Sequence, residues 1–321
     1  MPVTQDNEIE ALLGRLTAEI RRNTNDSLVG LYVYGSLVTG DFDKDRSDID
    51  LLAVVDTDIE GDTFDRLDRM QAHIVDDLPA WKDRIEVAYV PAPALWDFRT
   101  QTGQIAVVSP GEPFHLKAAG KDWLMNWYTV RNVGVTLYGP PPQTLIPEIS
   151  QSEFVAAVRE QAGAWKEWVD RMRTPGAQSY AVLTMCRALY AHAHGTQPSK
   201  KQPAALWAAE RMPEWESLIQ QSLAWMSEGR RDEADDVEGL SETVRFVHEV
   251  AGRITGPDER RLDTSSGRLD GVQGDRPGYR RGAVERRADR FAPRRKPAAR
   301  PSSPGGAIQG SLRGPWCPGW R

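Results

Sequence analysis

Cysteine is scarce: Cys186 and Cys317 are the two among 321 residues. Two thiols build neither a disulfide framework nor a four-ligand zinc site. No apolar run approaches the roughly 20 residues a membrane span needs. The polar, acidic start MPVTQDNEIE carries neither the apolar core of a signal peptide nor the arginines of a transit peptide. The expectation is a soluble, cytoplasmic protein without membrane contact. Basic charge is also scarce over most of the length. The net charge is −6, yet 15 Lys/Arg against 7 Asp/Glu fall from Pro257 onward, leaving 25 basic and 39 acidic residues before it. An acidic body lacks the positive face of a nucleic-acid platform, so no nucleic acid is expected as partner. Acidic clusters suit a divalent cation instead.

The composition is globular, with 40% hydrophobic and 27% charged residues, and the length suits about two domains. From Pro257 onward 10 Gly and 8 Pro among 65 residues, with few aliphatics and no periodicity, read as a disordered tail. Before it, helical and strand patterns alternate. Ile9, Leu12, Leu13, Leu16 and Ile20 recur at spacings of three and four, which predicts a helix over 7–23. Strands are predicted at 27–34, 48–55 and 84–90, with a helix at 63–78. From about Lys121 the pattern becomes helical, with segments at 121–138, 151–173, 178–194, 199–211, 213–228 and 233–254. Gly139-Pro140-Pro141-Pro142, Pro175-Gly176, Gly195 and Gly229 separate them. The expected architecture is an α/β (α+β) domain with a mixed sheet over 1–120, an all-α helical bundle over 121–256 and the tail at 257–321.

The chemistry concentrates between Tyr34 and Leu52. A strand ends in Gly35-Ser36, where glycine allows close backbone approach and a hydroxyl beside free amides suits a phosphate. Asp48 and Asp50 follow on the next strand, flanking Ile49, so strand periodicity puts both carboxylates on one face about 7 Å apart. Two ionised carboxylates that close repel unless a cation lies between them. Mg²⁺ takes such oxygen ligands together with substrate phosphates. Glu86 lies inside the otherwise apolar strand Ile85-Glu86-Val87-Ala88, a costly place for a charge without a partner. Three carboxylates beside a phosphate cradle are the parts of metal-assisted phosphoryl transfer.

The Gly-Ser and Asp-Ile-Asp pattern resembles the nucleotidyltransferase (DNA polymerase β-like) superfamily. Further segments resemble the streptomycin/spectinomycin adenylyltransferases: Leu137-Tyr138-Gly139-Pro140-Pro141, Val182-Leu183-Thr184 with Arg187, Ser199-Lys200, Leu206-Trp207 and Phe246-Val247-His248. The resemblance covers roughly residues 8–256. It implies a nucleotidyltransferase domain followed by a helical domain, with the active site between them. It implies transfer of AMP from ATP to an aminoglycoside hydroxyl, with release of pyrophosphate and with Mg²⁺ as cofactor. By that resemblance Asp48 and Asp50 bind Mg²⁺, and Glu86 belongs to the same metal-binding carboxylate set and is the base. Ser36 and Ser47 contact ATP. Arg187 and Lys200, 13 residues apart, hold the triphosphate, and Asp122 contacts the adenosine. The expected partners are ATP and a small polar acceptor of the aminoglycoside type, and the expected state is a monomer.

One segment departs from the family. Where the resistance enzymes carry acidic residues for a cationic drug, Arg171 to Tyr180 holds two arginines and no carboxylate. Like charge disfavours a guanidinium-bearing acceptor there. Two other readings follow: the same transfer to a different small-molecule or protein hydroxyl, or a nucleotide-binding regulatory protein without catalysis. The retained carboxylates argue against the second.

Overall fold

The structure is a computed structural model that describes residues 2–109, 112–198, 200–228 and 237–256. The predicted tail and the start of the helix expected at 233–254 lie outside the described residues. The chain runs as α1 (Asn7–Thr24), β1 (Leu28–Tyr34), α2 (Ser36–Thr39), β2 (Ile49–Val55), α3 (Gly61–Asp77), β3 (Ile85–Pro91), α4 (Ala92–Asp97), β4 (Gly103–Val108) and β5 (His115–Ala119). It continues as α5 (Leu124–Val133), β6 (Val135–Tyr138), α6 (Pro142–Leu145), α7 (Gln151–Trp168), α8 (Pro175–His194), α9 (Lys201–Arg211), α10 (Glu216–Glu228) and α11 (Val237–Thr255). Among the described residues no helix is long and apolar enough to cross a membrane.

One mixed sheet organises the first half, in the order β5-β4-β3-β2-β1-β6. β2 and β3 are parallel and the other pairs are antiparallel. Side-chain parity then splits the core. Leu31, Val33, Leu51, Ala53, Val87 and Tyr89 face α1 and α3. Tyr32, Tyr34, Leu52, Val54, Ala88 and Val90 face the opposite way and merge with the apolar side chains of the helical half. Asp50 and Glu86 share the parity of this second set. The sheet therefore presents its carboxylates to the helical half, not to α1 and α3.

Local signals explain the helix ends. Asp6 caps α1, its carboxylate accepting from Glu8 N at 2.9 Å and Ile9 N at 3.3 Å. Arg21 and Arg22 stand in the last turn, where the helix dipole favours cations. α8 starts at the Thr174 cap with Pro175 in its first turn and stops at Gly195, whose φ is 68°. α8 is buried along most of its length, because α7, α9, α10 and α11 all pack around it. Such a helix is apolar all round, which makes its buried arginine conspicuous.

The expectation of a helix through 121–138 is corrected. α5 ends at Val133, and Val135–Tyr138 is the edge strand β6, paired with β1. Valine, threonine and tyrosine in alternation suit a strand, and the adjoining helix pattern masked them. Tyr32 closes this edge by donating its hydroxyl to Pro140 O at 2.8 Å. β4 and β5 were not anticipated at all. Both are short, and β5 has three exposed middle residues, so apolar periodicity did not reveal them.

α7 opens with a reciprocal capping box. Ser150 Oγ accepts from Glu153 N, and Glu153 Oε2 accepts from Ser150 N at 2.9 Å. Arg99, from the sheet half, donates to Glu153 Oε1 at 2.6 Å. The Arg99 hydrogen bond, and then the Ser150 amide, hold the Glu153 carboxyl at about 2, below its ordinary 4.5. A carboxyl depressed by folding contributes stability above its unfolded pKa, which is lost as pH falls toward the folded value. Acid unfolding followed by circular dichroism should therefore steepen below about pH 4.5 toward pH 2, and Glu153→Gln should flatten that limb. An identical acid limb in the variant would remove Glu153 from the account.

Candidate active site

The site forms at one end of the shared sheet face. Asp50 pairs in register with Tyr34 across β1 and with Glu86 across β3. Neighbouring strands lie about 4.8 Å apart, so the two carboxylates stand side by side. Asp48 immediately precedes β2. Asp50 is 7% exposed and Glu86 2%. Removing a carboxylate from water costs several kcal/mol unless charge or cation offsets it.

Part of the offset comes from α8. Arg187 is 5% exposed, and its surroundings include Tyr180, Asp41 and Asp50. Desolvation pulls its guanidinium down to about 10, while those three neighbours favour the charged form. It stays a cation at neutral pH. A cation from the helical half thus enters the field of a strand carboxylate from the sheet half.

Gly35 decides how closely the backbone passes. Its φ is 71°, a region where only glycine is free of steric cost. A Cβ there would overlap Asp50 Oδ2 and come within 2.9 Å of Asp50 Cγ. The turn that follows, Ser36–Thr39, ends at Gly40, whose amide donates to Ser36 O. Lys200 lies across this turn: its Nζ is 3.8 Å from where a Cβ of Gly40 would be. Asp41 next to it accepts from Lys201 N at 3.2 Å.

The structure thus brings together Ser36, Asp48, Asp50, Glu86, Arg187 and Lys200. Ser47 is engaged within the fold: its hydroxyl accepts from Asp43 N at 2.9 Å and its carbonyl accepts from Arg84 at 2.8 Å. Asp122 is exposed and tied to its own turn, its Oδ1 accepting from Gly120 N at 2.8 Å. Asp41 escaped sequence reasoning. Its proximity to Gly40 was the available signal, and no periodicity marked it.

Asp48 Oδ1 is buried without a hydrogen-bond partner. An oxygen so placed fits a hard cation. Among the described residues no three Asp, Glu, His or Cys side chains converge as a complete metal cage. Mg²⁺ does not require one, because it uses one or two carboxylates plus substrate phosphates and water. Cys186, beside Arg187, is buried in apolar surroundings that push its thiol up, which marks it as structural. His194 stacks on Tyr190, with ring centroids 4.0 Å apart.

Two family models match the chain in the order of its halves. Residues 15–96 match the nucleotidyltransferase domain, and residues 144–253 match the aminoglycoside adenylyltransferase C-terminal domain. The two halves are similar, in order, to the two domains of aminoglycoside adenylyltransferases. Curated relatives named aminoglycoside (3'') (9) adenylyltransferase occur in Shigella flexneri and Escherichia coli. They are 25% identical over 271 and 269 residues, spanning 77% of this chain and 95% of each relative. A solved structure of spectinomycin adenyltransferase from Enterococcus faecialis, with ATP and spectinomycin, superposes with a TM-score of 0.59. Its identity is 17%, and the match covers 76% of this chain and 98% of that one. At that identity the likeness shows the fold. The protein is an enzyme of the nucleotidyltransferase class. The matches end before the Arg/Gly/Pro-rich tail.

The Gly35–Asp50 contact yields a direct test. Gly35→Ala puts an alanine at φ 71° and ψ −149°, a region essentially reserved for glycine, at a cost of roughly 1–3 kcal/mol, and forces the Asp50 carboxylate aside. The variant should melt a few degrees lower and lose most catalytic turnover, measured by calorimetry and pyrophosphate release. Retained turnover at wild-type level would show that Asp50 need not stand where it does.

Proposed function

We propose that the protein transfers AMP from ATP to a hydroxyl of an aminoglycoside, releasing pyrophosphate. The observation that carries this reading is the in-register pair Asp50 and Glu86 with a buried Arg187 facing it from the helical half. The relatives' names and the matched C-terminal domain support the acceptor class.

In this reading the triphosphate lies along the Ser36–Gly40 turn, between the sheet half and α8–α9. Arg187 and Lys200 offset its charge, an arginine fork and a lysine point charge serving different oxygens. Ser36 and Ser47 contact the nucleotide, and Asp122 contacts its adenosine. Asp48 and Asp50, with Glu86 beside them, would hold Mg²⁺, which supplies charge stabilisation at the reacting phosphate. Glu86 accepts the proton of the acceptor hydroxyl. The oxygen attacks the α-phosphorus, the bond from that phosphorus to the bridging oxygen breaks, and pyrophosphate leaves with the bonding pair. The sheet with its flanking helices and the helical half from α7 onward act as the two jaws of the site.

A second reading changes the acceptor alone. Arg171 lies over the Trp168 ring, 4.5 Å from its centroid, just before α8. An arginine there repels a strongly cationic drug and favours a less basic hydroxyl compound.

Pyrophosphate release from ATP and Mg²⁺, with streptomycin, spectinomycin or no acceptor, tests both. Drug-dependent release is expected, falling roughly 10²–10⁴-fold in Glu86→Gln, the range for loss of a general base, and to background in Asp50→Asn. Unaltered turnover in Glu86→Gln would sink the mechanism. ATP binding without drug-dependent release would shift the acceptor to the second reading.

A further inference from the structure

The segment 41–47 connects the Ser36–Thr39 turn to Asp48, and its side chains and carbonyls reach four separate places. Lys44 pairs with Glu8 at 2.5 Å and Asp6 at 3.4 Å, at the start of α1. Arg84, stacked over the Trp81 ring at 4.4 Å, donates to Lys44 O at 2.5 Å and to Ser47 O at 2.8 Å. Asp41 accepts from Lys201 N at the start of α9. Arg46 donates to Met226 O at 3.0 Å and to Ser227 O, in the last turn of α10. Asp43, 3.7 Å from Arg46 Nε, stands on the other side of the guanidinium.

We propose that Arg46 is a positioning residue that fastens the 41–47 loop to α10 and so sets where Lys200 and Arg187 stand over a bound triphosphate. The proposal rests on the nucleotide-transfer reading and assigns that site a control outside its phosphate contacts. Two pins join the loop to the helical half, Asp41 at α9 and Arg46 at α10. One pin leaves a pivot, whereas two fix an orientation. α8 packs against both α9 and α10, so the orientation they hold is also that of Arg187. Lys200 directly precedes α9. Loss of Arg46 leaves every phosphate-contacting side chain intact but removes the loop's hold on α10, so that α9 and α10 can shift locally about the Asp41 contact.

Titration calorimetry with ATP and Mg²⁺ on the full chain tests this, using Arg46→Ala, Arg46→Lys, Lys200→Ala and the double variant Arg46→Ala/Lys200→Ala. Arg46→Ala should weaken ATP about 5–10-fold, the scale of losing one ordinary hydrogen bond. Its melting temperature should stay within a few degrees. Arg46→Lys, which keeps a cationic donor, should recover part of the affinity. If Arg46 acts through Lys200, the Arg46→Ala penalty should shrink in the Lys200→Ala background, because coupled sites are not additive. Wild-type affinity in Arg46→Ala, or full additivity with Lys200→Ala, overturns the proposal. Failure of the wild type to bind ATP would instead sink the nucleotide reading. Arg46 would then be judged by hydrogen exchange at the Lys201 amide, expected to quicken in Arg46→Ala; equal exchange refutes the pin.

Discussion

Everything at this site depends on one electrostatic constraint: two strand carboxylates are kept nearly dry on the sheet face that meets the helical half. Asp50 and Glu86 are in register on parallel strands, so neither can turn away without breaking the alternation that buries Leu52, Val54, Ala88 and Val90. Their charge must be met from across the face. Arg187 does part of this from α8 and is itself desolvated in doing so. Each half buries a charge that is tolerable only with the other half present. A divalent cation beside them would offset the remaining negative charge.

The helical half is therefore more than a lid. α8 is surrounded by four helices and places Arg187 with the stiffness of a packed core. Lys200, at the entrance to α9, is exposed and reaches the Ser36–Gly40 turn along a flexible stem. One cation is rigid and the other adaptable. The first suits a fixed strand carboxylate, and the second suits a ligand that arrives and leaves. The 41–47 loop lies between them and is tied to both halves, so the shortest covalent path from the Ser36–Gly40 turn to Asp48 is also a tie between the halves.

Much of this was legible in the residues. Apolar periodicity located α1, α3, β1, β2 and β3, because each has one continuous buried face. The Gly-Ser turn and Asp-Ile-Asp stood out because each breaks an apolar pattern at a cost that function can repay. β4, β5 and β6 were not legible. They are short, and β6 follows a helix without a break in hydrophobicity, so its pairing with β1 is what defines it. Asp41 and Arg46 were equally silent, lying in a charged stretch that reads as a solvated loop.

The sequence by itself determined the local pattern: which carboxylates interrupt apolar strands, where glycine must permit a close approach, and which family pattern the two halves resemble. Those properties are local, set by side-chain period and by spacing along a few residues. Only the tertiary structure decided which face of the sheet meets the helical half, that Arg187 meets Asp50, and that Lys200 crosses the Gly40 turn. These are meetings between residues more than 100 positions apart. No local preference encodes them; they follow from packing the whole core and from the charge that packing must neutralise.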